Sequence, residues 1–328
     1  MSSSILVCGG AGYIGSHMVR MLLERGFAVC VLDNLSTGHA EAVGEAELLK
    51  CDLLDPASLE RVFAARSFDA VMHFCALSLV GESVREPLAY YRNNVSGTLN
   101  LLEAMQRAEV KKLVFSSTAA IFGEPEQALI DENHPARPIN PYGRSKWMVE
   151  QILADAAAAW DLRSVSLRYF NAAGASPSAE IGESHDPETH LIPNVLKSVL
   201  AGGASLKVFG DDYPTPDGTC VRDYIHVDDL AEAHLAALAW MDRHDGAATF
   251  NLGNGQGFSV LQVIEAAAKV TGQAISYAVE DRRPGDPATL VASAEKARRE
   301  LGWQPRYREI ETIIETAWRW HRQARYQT

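Results

Sequence analysis

Three features are absent from the sequence, and each excludes a class of protein. It contains no apolar run approaching the roughly 18 residues that a membrane-spanning helix requires. It has no excess of basic residues: 30 Lys and Arg stand against 42 Asp and Glu, and the formal net charge of −12 argues against nucleic acid as the principal partner. Its first residues, MSSSILVCGG, carry no basic segment, so they do not resemble a signal peptide. We therefore expect a cytoplasmic protein that binds neither nucleic acid nor membranes.

Cysteine is also scarce. The cysteines are odd in number, dispersed and mostly set among apolar residues, and they are Cys8, Cys30, Cys51, Cys75 and Cys220. This distribution favours reduced thiols in the interior over disulfides or a metal site. The chain of 328 residues, 47% of them hydrophobic, is long enough for one large α/β domain with an appendage or for two domains.

A group of glycines follows the first apolar segment. Residues 5–15 read ILVCGGAGYIG, and the glycines repeat as Gly9-x-x-Gly12-x-x-Gly15 just before a stretch with helical periodicity. This order predicts a buried strand, a tight turn and a helix, whose N-terminus can bind a pyrophosphate because its N–H groups are unpaired. A second apolar segment, FAVCVLD, ends at Asp33, where a carboxylate can accept ribose hydroxyls and would repel a 2′-phosphate. The pattern therefore favours NAD over NADP.

The alternation of strand and helix patterns continues along the chain. The segments ELLKCDLLD, FDAVMHFCAL, KKLVFSSTAAIFG and RSVSLRYFNAAG predict strands separated by helices. The predicted fold class is α/β, with a Rossmann-type doubly wound parallel sheet and right-handed crossovers. Ligands bind at the carboxyl ends of such strands. The residues expected at those ends are Asp52, Leu53, Phe74, Ala76, Ser116, Ser117, Thr118 and Tyr169.

Beyond residue 174 the character of the sequence changes. Residues 174–190, GASPSAEIGESHDPETH, are small, polar and acidic without periodicity, and predict a long loop that lines a site. Its His185, Asp186, Glu188 and His190 are potential metal ligands. They lack the regular spacing on defined elements that zinc sites favour, so we predict no metal. Further on, TFNLGNG predicts an isolated strand.

Residues 140–153, NPYGRSKWMVEQIL, place a tyrosine and a lysine one helical turn apart. Pro141 suits a helix start, and the apolar spacing that follows predicts that Tyr142 and Lys146 share one face. A phenol beside an ammonium group is a possible base, because at an effective dielectric constant near 20 a cation about 4 Å away lowers the pKa by at most about three units. Considered alone, such a pair is more often a buried Tyr and a solvated Lys.

The motifs in combination resemble a known family. In chain order they are GGAGYIGSH, LDNLSTG, HFCALSLVGESV, YYRNNVSGT, VFSSTAAIFG, the Tyr142-x-x-x-Lys146 pair, LRYFNAAGA, DGTCVRDYIHVDDLA, FNLGNG and RRPGDP. From about residue 5 to residue 320 they resemble the extended short-chain dehydrogenase/reductase superfamily, and within it the UDP-glucose 4-epimerases. The resemblance implies an NAD-dependent isomerase that oxidises carbon 4 of the sugar transiently and returns the hydride to the opposite face of a 4-keto intermediate.

The resemblance also implies residue roles. Tyr142 would take the proton of the sugar's 4-hydroxyl, Thr118 would hydrogen-bond that hydroxyl, and Lys146 would lower the tyrosine pKa and hold the nicotinamide ribose. The implied cofactor-binding residues are Gly9, Gly12, Tyr13, Ile14, Asp33, Asn34, Asp52, Leu53, Phe74, Ala76, Asn94, Ser116, Tyr142, Lys146 and Tyr169. The implied substrate-binding residues, for a UDP-sugar, are Thr118, Asn171, His190, Arg222, Arg283 and Asp286.

Domain organisation and assembly follow from the same resemblance. It implies an NAD-binding Rossmann domain and a smaller α/β domain that binds the nucleotide sugar, with boundaries at 1–174 plus about 226–256, and at 175–225 plus 257–328. It also implies a homodimer that pairs through two helices near residues 88–108 and 144–160. Packing within one chain would explain the same apolar residues equally well.

Alternatives remain for the substrate and for the reaction. Leu290 stands where a smaller residue would admit N-acetylated sugars, which favours UDP-glucose and UDP-galactose over UDP-N-acetylglucosamine; a UDP-pentose is a further alternative. A 4,6-dehydratase would need an Asp-Glu pair directly after Thr118, where this chain has Ala119 and Ala120. A dinucleotide sensor without activity would keep the glycine turn and lose the Tyr/Lys pair, which this chain retains.

Overall fold

The computed structural model describes residues 3–203, 206–283, 286–323 and 326. Its largest element is a parallel sheet with helices on both faces. The strands are β1 Ser4–Cys8, β2 Ala28–Asp33, β3 Glu47–Lys50, β4 Ala70–His73, β5 Lys112–Thr118, β6 Arg163–Tyr169, β7 Asn171–Ala173, β8 Leu206–Phe209, β9 Val221–His226, β10 Ala247–Leu252, β11 Gly257–Ser259, β12 Tyr277–Glu280 and β13 Thr289–Leu290. The helices are α1 Tyr13–Glu24, α2 Pro56–Ala65, α3 Val80–Arg85, α4 Pro87–Tyr90, α5 Gly97–Arg107, α6 Pro141–Trp160, α7 Leu191–Leu200, α8 Val227–Trp240, α9 Val260–Thr271, α10 Glu295–Leu301 and α11 Ile310–His321.

The main sheet has seven parallel strands in the order β10-β6-β5-β4-β1-β2-β3. The chain starts at β1, moves outward through β2 and β3, and then crosses back past β1 to β4, β5 and β6. This reversal creates a crevice at the carboxyl ends of β1 and β4, where doubly wound sheets bind their ligands. The predicted Rossmann-type fold class is confirmed.

One strand lies elsewhere than the sequence pattern indicated. The segment predicted as an isolated strand is β10, which pairs with β6 from Ala247 opposite Ser164 to Leu252 opposite Tyr169 and completes the main sheet. The prediction was wrong on this point because periodicity identifies a strand but not a pairing partner that lies far away along the chain.

Both faces of the main sheet are buried. In β1, Ile5 and Val7 pack in a core with α1 and α8, whereas Leu6 and Cys8 pack in a second core with α2, α5 and α6. A strand covered on both faces needs apolar residues at every position, which explains the unbroken apolar runs of the sequence. The five cysteines are free thiols. Among the described residues, no helix is long and apolar enough to cross a membrane.

The smaller sheets begin where the chain leaves β6. Strand β7 pairs with β9, which also carries β11 and β13, and β8 pairs with β12. Helices α7, α9 and α11 cover β7 and β9 and form a third core. These strands and helices therefore build their own packed layer beside the main sheet, whereas α8 and β10, which also follow β6, pack with the main sheet.

Helix α6 begins as its sequence predicts. Asn140 precedes it, and the side-chain Oδ1 of Asn140 accepts the N–H of Gly143 at 2.8 Å, while Pro141 occupies the first helical position. The helix ends at Asp161, which has a left-handed backbone with φ of 58°. The other long helix predicted, near residues 88–108, is α4, a π-helical segment at Tyr91–Ser96 and α5 in direct succession.

Candidate active site

The glycine turn between β1 and α1 is shaped by close backbone contacts. Gly9 has φ of +80°, and an added Cβ would lie 2.7 Å from the nitrogen of Cys75; a Cβ on Gly15 would lie 2.1 Å from the oxygen of Gly9. The protein's own packing therefore requires these two glycines. At Gly12, an added Cβ would meet nothing nearer than 3.5 Å. The space beside Gly12, at the N-terminus of α1, allows a pyrophosphate to approach the backbone, while Ile14 packs against the core.

A groove of about 590 Å³, open to solvent, follows the carboxyl ends of β1, β2 and β4. Most of the residues predicted to bind NAD line it, namely Gly9, Gly12, Asp33, Asn34, Asp52, Leu53, Phe74 and Ala76. The side chains present therefore fit the adenosine and pyrophosphate parts of a dinucleotide.

Two carboxylates are held in fixed orientations along this groove. Asp33 accepts the N–H of Ala11 through Oδ2 at 3.0 Å and the N–H of Leu35 through Oδ1 at 2.8 Å. Asp52 accepts from the amide of Asn34 at 3.0 Å. Because each carboxylate oxygen offers a further lone pair, these groups are able to accept ribose hydroxyls as well.

Two other residues predicted to bind the cofactor make extensive contacts within the protein. The buried amide of Asn94 accepts the N–H of Leu77 at 2.9 Å and donates to the Leu77 oxygen and the Ser145 hydroxyl, both at 3.0 Å. The hydroxyl of Tyr13 donates to the oxygen of Gly174 at 2.6 Å. Their contacts with NAD stay predictions, and the structure gives both residues a role in positioning neighbouring segments.

The predicted catalytic residues meet at the carboxyl ends of β5 and β6. Thr118, the last residue of β5, hydrogen-bonds Tyr142 on the first turn of α6. Lys146 is 2% exposed, and its Nζ donates to the oxygen of Ser116 at 2.8 Å. The hydroxyls of Ser116 and Tyr169 hydrogen-bond each other. The fold thus brings together five residues that the sequence analysis had selected from three separate segments.

Burial dominates the protonation of this group. It raises the pKa of Tyr142 above its usual value, with the hydrogen bond to Thr118 opposing the shift. It lowers the pKa of Lys146 to about 7, against the opposing charges of Cys75 and Glu150. The resemblance had implied that Lys146 lowers the pKa of Tyr142. The polypeptide by itself shows the opposite direction, because both groups are withdrawn from water and the lysine carries only part of its charge near neutral pH.

A buried ion pair that was not predicted from the sequence lies behind the predicted catalytic residues. Arg168 on β6 donates to Glu150 on α6 at 2.6 Å, and the hydroxyl of Ser117 donates to the same carboxylate at 2.5 Å. The charge of Glu150 favours the protonated form of Lys146. A signal was available: Tyr142, Lys146 and Glu150 recur every four residues, which places all three on the inner face of the helix.

The residues predicted to hold the substrate lie on and beside β9. Arg222 is largely buried and forms an ion pair with Asp286. Asn171 begins β7, which pairs with β9. The guanidinium of Arg283 lies over the ring of Phe209, 4.1 Å from its centre. The structure therefore joins the predicted phosphate ligand Arg222 directly to the predicted ribose ligand Asp286, a pairing that the sequence did not indicate.

Two further residues of the predicted substrate region occupy distinct surroundings. Leu290 on β13 packs with the apolar residues at 119–122 that follow Thr118. His190, just before α7, belongs to a cluster with Glu183, His185 and Glu188. Leu290 is thereby placed next to the catalytic segment, whereas the contacts of His190 are with acidic and imidazole groups of its own loop.

Known proteins resemble this chain along nearly its whole length. Residues 5–253 match the NAD dependent epimerase/dehydratase family. A protein of Halalkalibacterium halodurans named UDP-glucose 4-epimerase is 52% identical over 320 residues, covering 98% of this chain and 96% of that protein. The crystal structure of UDP-glucose 4-epimerase from Brucella ovis in complex with NAD is 46% identical, with a TM-score of 0.93 and coverage of 97% of this chain and 98% of that one. The enzyme from Bifidobacterium longum in complex with NAD+ and UDP is 41% identical, with a TM-score of 0.94 and coverage of 98% and 99%. The glycine turn, the acidic groove and the Tyr142, Lys146 and Thr118 group agree with this similarity, and the chain belongs to the NAD dependent epimerase/dehydratase family.

Proposed function

We propose that this protein interconverts UDP-glucose and UDP-galactose by inverting carbon 4 of the hexose. The observation that carries the proposal is the convergence of Tyr142, Thr118 and the buried Lys146 at the carboxyl edge of the sheet that also holds the dinucleotide groove. Chains that are about half identical to it are named UDP-glucose 4-epimerase. The protein is thus an NAD-dependent isomerase, and the activity requires no net oxidation or reduction.

NAD is the cofactor. Gly12 provides the open approach at the helix N-terminus, and Asp33, with Asp52 beside it, provides acceptors for the adenosine ribose. An acidic groove disfavours a 2′-phosphate, which favours NAD over NADP on electrostatic grounds. When bound, NAD supplies the acceptor for the hydride of carbon 4 and then returns the hydride to the other face of the 4-keto sugar.

Tyr142 moves the proton. Its phenol would take the proton of the sugar's 4-hydroxyl through its hydrogen-bonded neighbour Thr118, and would return a proton when the sugar is reduced again. Lys146, whose Nζ donates to the oxygen of Ser116, lies one helical turn from Tyr142 and would bring a positive charge to the same side of the helix whenever it is protonated. Because burial opposes ionisation of Tyr142 in the polypeptide alone, deprotonation depends on positive charge brought to its side.

Binding of the diphosphate and uridine rests on the β9 side of the site. Arg222 and Arg283 offer guanidinium groups suited to phosphate oxygens, and Asn171 and His190 offer further polar contacts. The guanidinium of Arg222 is held by the carboxylate of Asp286 and by the backbone oxygen of Val221. We expect Asp286 to contact the uridine ribose, so substrate would engage both members of the pair.

Leu290 supports a hexose without an N-acetyl group. It packs beside residues 119–122, directly after the catalytic Thr118. A leucine at this place fills volume that an acetamido group would need. UDP-glucose and UDP-galactose are therefore favoured over their N-acetyl forms.

The assembly that fits the surface is a homodimer. Helices α3, α4 and α6 pack against one another and expose Val84, Leu88 and Met148, and α5, which continues from the π-helical segment after α4, exposes Leu99. Leu88 is the most exposed of the four, at 74%. Clusters of this kind mark association surfaces on water-soluble proteins, and a second copy presenting the same helices would bury them across a twofold axis.

We assign NAD binding and nucleotide-sugar binding to two regions of the chain, according to the core in which each region packs. We assign NAD binding to residues 1–174 with about 226–256, because α8 and β10 pack in the main layer. Nucleotide-sugar binding is assigned to 175–225 and 257–328, because α7, α9 and α11 form a separate core. The cytoplasmic location stays a prediction from sequence.

Turnover of the purified protein tests the function. UDP-glucose, UDP-galactose, their N-acetyl forms and UDP-pentoses are each supplied with and without added NAD, and products are separated by chromatography. We expect the glucose and galactose pair to reach equilibrium fastest. Failure to convert either member, with NAD present, would refute the proposal.

A further inference from the structure

The loop between β7 and α7 gathers two histidines and two glutamates. One ligand atom from each of Glu183, His185, Glu188 and His190 lies within 4.8 Å of all the others. The two carboxylates are withdrawn from solvent, with side chains 5% and 4% exposed for Glu183 and Glu188. Two buried carboxylates in one small volume are unfavourable unless positive charge lies between them.

The four distances between histidine nitrogens and carboxylate oxygens are close to those between ligands of one small cation. The Nδ1 atom of His190 lies 2.7 Å from Glu183 Oε1 and 3.2 Å from Glu188 Oε1. The Nδ1 atom of His185 lies 3.2 Å and 3.9 Å from the same two oxygens. Ligands at the 2.0–2.1 Å typical of zinc are about 3.3 to 3.4 Å apart in a tetrahedron. The four observed distances scatter around that value.

A second observation points to a ligand. Three buried atoms of the cluster, Glu183 Oε1, His185 Nδ1 and Glu188 Oε2, make no hydrogen bond of good geometry among the described residues, although the Nδ1 atoms of His190 and His185 lie 2.7 Å and 3.2 Å from Glu183 Oε1. The nearest other cation, Lys197, stands 3.7 Å from Glu188 Oε2, which is the length of an ion pair rather than a hydrogen bond. Buried polar atoms are almost always satisfied, so these three are explained best by an ion.

The carboxylate of Glu188 is also held in place by backbone hydrogen bonds, as metal ligands commonly are. Its Oε1 accepts the backbone N–H groups of Thr189 at 2.9 Å and His190 at 3.0 Å. Glu183 is held by its main chain, whose oxygen accepts Nε1–H of Trp320 on α11 at 2.9 Å. Such supporting contacts fix the ligands before the metal arrives.

We propose that Glu183, His185, Glu188 and His190 bind one zinc ion. Two imidazoles and two carboxylates form a closed four-ligand set, which is typical of structural rather than catalytic zinc. The ion would fix the loop against α11 through Trp320 and against the glycine turn, because the ring of Tyr13 packs edge-on to His185. Coordination through Nδ1 leaves Nε2 of His190 available for substrate.

A cluster of two protonated histidines and two glutamates is the competing explanation. Burial lowers the pKa of His185 and of His190, but the bonds and charges of Glu183 and Glu188 outweigh it and raise the values to about 9 and about 10. Two imidazolium rings, 5.3 Å apart between centres, would then share the cavity. A single dication supplies the same charge at one point between the carboxylates, without placing two cations side by side.

Metal analysis of protein purified without an affinity tag distinguishes a zinc site from a cluster of protonated histidines and glutamates. We expect about one zinc per chain by inductively coupled plasma mass spectrometry. After removal by a chelator, zinc but not magnesium or calcium should raise Tm by roughly 5 °C or more. Cobalt in place of zinc should give the intense visible bands of a tetrahedral site. Zinc below about 0.1 per chain together with no shift of Tm on adding zinc overturns the proposal, whatever the epimerase assay shows.

Matched variants locate the ion. Glu183→Gln and His185→Asn should weaken zinc binding at least tenfold in competition with a fluorescent chelator. Glu180→Gln, an exposed glutamate of the same loop, and His244→Asn, an exposed histidine elsewhere, should bind as the wild type does. Equal zinc affinity in all four variants would show that the ion binds outside the cluster and would overturn the assignment.

Discussion

Gly143 packs against the backbone oxygen of Ala120 so closely that a Cβ on the glycine would lie 2.3 Å from that oxygen. The first turn of α6 is thereby pressed onto the turn that follows β5. Tyr142 belongs to that first turn, and Thr118 ends that strand. The hydrogen bond between them depends on an approach that only a glycine allows.

Gly143→Ala should therefore separate the phenol from the threonine. The added methyl forces α6 outward, and overpacking of this kind typically costs about 1 to 3 kcal/mol of stability. We expect kcat to fall roughly 10- to 100-fold, because misplacement by about 1 Å is sufficient for such a loss. Gly81→Ala is the control, since its Cβ would meet only the end of Arg85 at 3.9 Å. Steady-state kinetics with normal turnover in Gly143→Ala would contradict the packing argument.

Tyr142→Phe should abolish most of the activity and keep the cofactor. Removal of a general base typically costs a factor of about 100 to 10,000, or roughly 3 to 5 kcal/mol. The groove residues are unchanged, so NAD content measured after denaturation should equal that of the wild type. The exposed Tyr277→Phe provides the matched control. Unchanged turnover in Tyr142→Phe would remove the tyrosine from the role of base.

The pKa of Tyr142 should depend on the redox state of bound nicotinamide. Burial raises it in the polypeptide, and the positive ring of NAD+ lowers it, whereas the neutral ring of NADH does not. We expect a lower phenol pKa in the oxidised complex than in the reduced one. NMR titration of protein with labelled tyrosine measures both, and Tyr142→Phe identifies the signal. Identical values in the two complexes would exclude this coupling.

Lys146 should make stability depend on pH in a defined direction. Its pKa is lowered to about 7 in the folded protein, against about 10.4 in an unfolded chain. Between these values the unfolded chain binds a proton that the folded protein does not, so the contribution of Lys146 to stability rises with pH; below about pH 7 the full cost of burying the charge is present.

Lys146→Met removes that contribution. The free energy of unfolding of the variant, relative to that of the wild type, should be highest at pH 6 and lowest near pH 10. The difference between these two pH values should be on the order of 2 to 5 kcal/mol. Urea unfolding at several pH values measures it, and the exposed Lys269→Met should show no such trend. A constant difference across pH would mean that Lys146 stays charged in the folded protein.

Leu290→Ala should widen substrate choice. The change removes side-chain volume beside residues 119–122. A change of about one methylene group in an apolar pocket alters the discrimination between substrates by about 10- to 200-fold. We expect kcat/KM for UDP-N-acetylglucosamine to rise at least tenfold relative to UDP-glucose. Leu200→Ala, at an exposed leucine of α7, should leave the ratio unchanged. A constant ratio in both variants would place the acetamido pocket elsewhere.

Leu88→Asp should convert the proposed dimer into monomers. A carboxylate cannot be buried across the apolar helix surface without a partner, so association should weaken at least tenfold. Light scattering during gel filtration gives the mass directly. Leu129→Asp, at another exposed leucine, should stay dimeric. A monomeric wild type would refute the dimer itself.

Much of the dinucleotide half was predictable from the sequence alone. The glycine spacing, the acid at Asp33 and the strand and helix alternation specify the doubly wound sheet, because each reflects local backbone requirements and periodic burial. The spacing of Tyr142 and Lys146 fixed their common helix face for the same reason. These are short-range properties, and they follow from residues that lie close together in the chain.

Tertiary structure decided the remainder. The pairing of β10 with β6, the Arg222–Asp286 ion pair, the Glu150–Arg168 pair and the cluster at Glu183–His190 all join groups whose proximity depends on the folded chain or on the path of an irregular loop. The local periodicity of a sequence does not predict such contacts. The protonation of Tyr142 and Lys146 likewise depends on burial, which raises the pKa of an acid and lowers that of a base by the cost of removing charge from water. The sequence determined which groups are predicted to carry the chemistry, and the fold determined their charge and their partners.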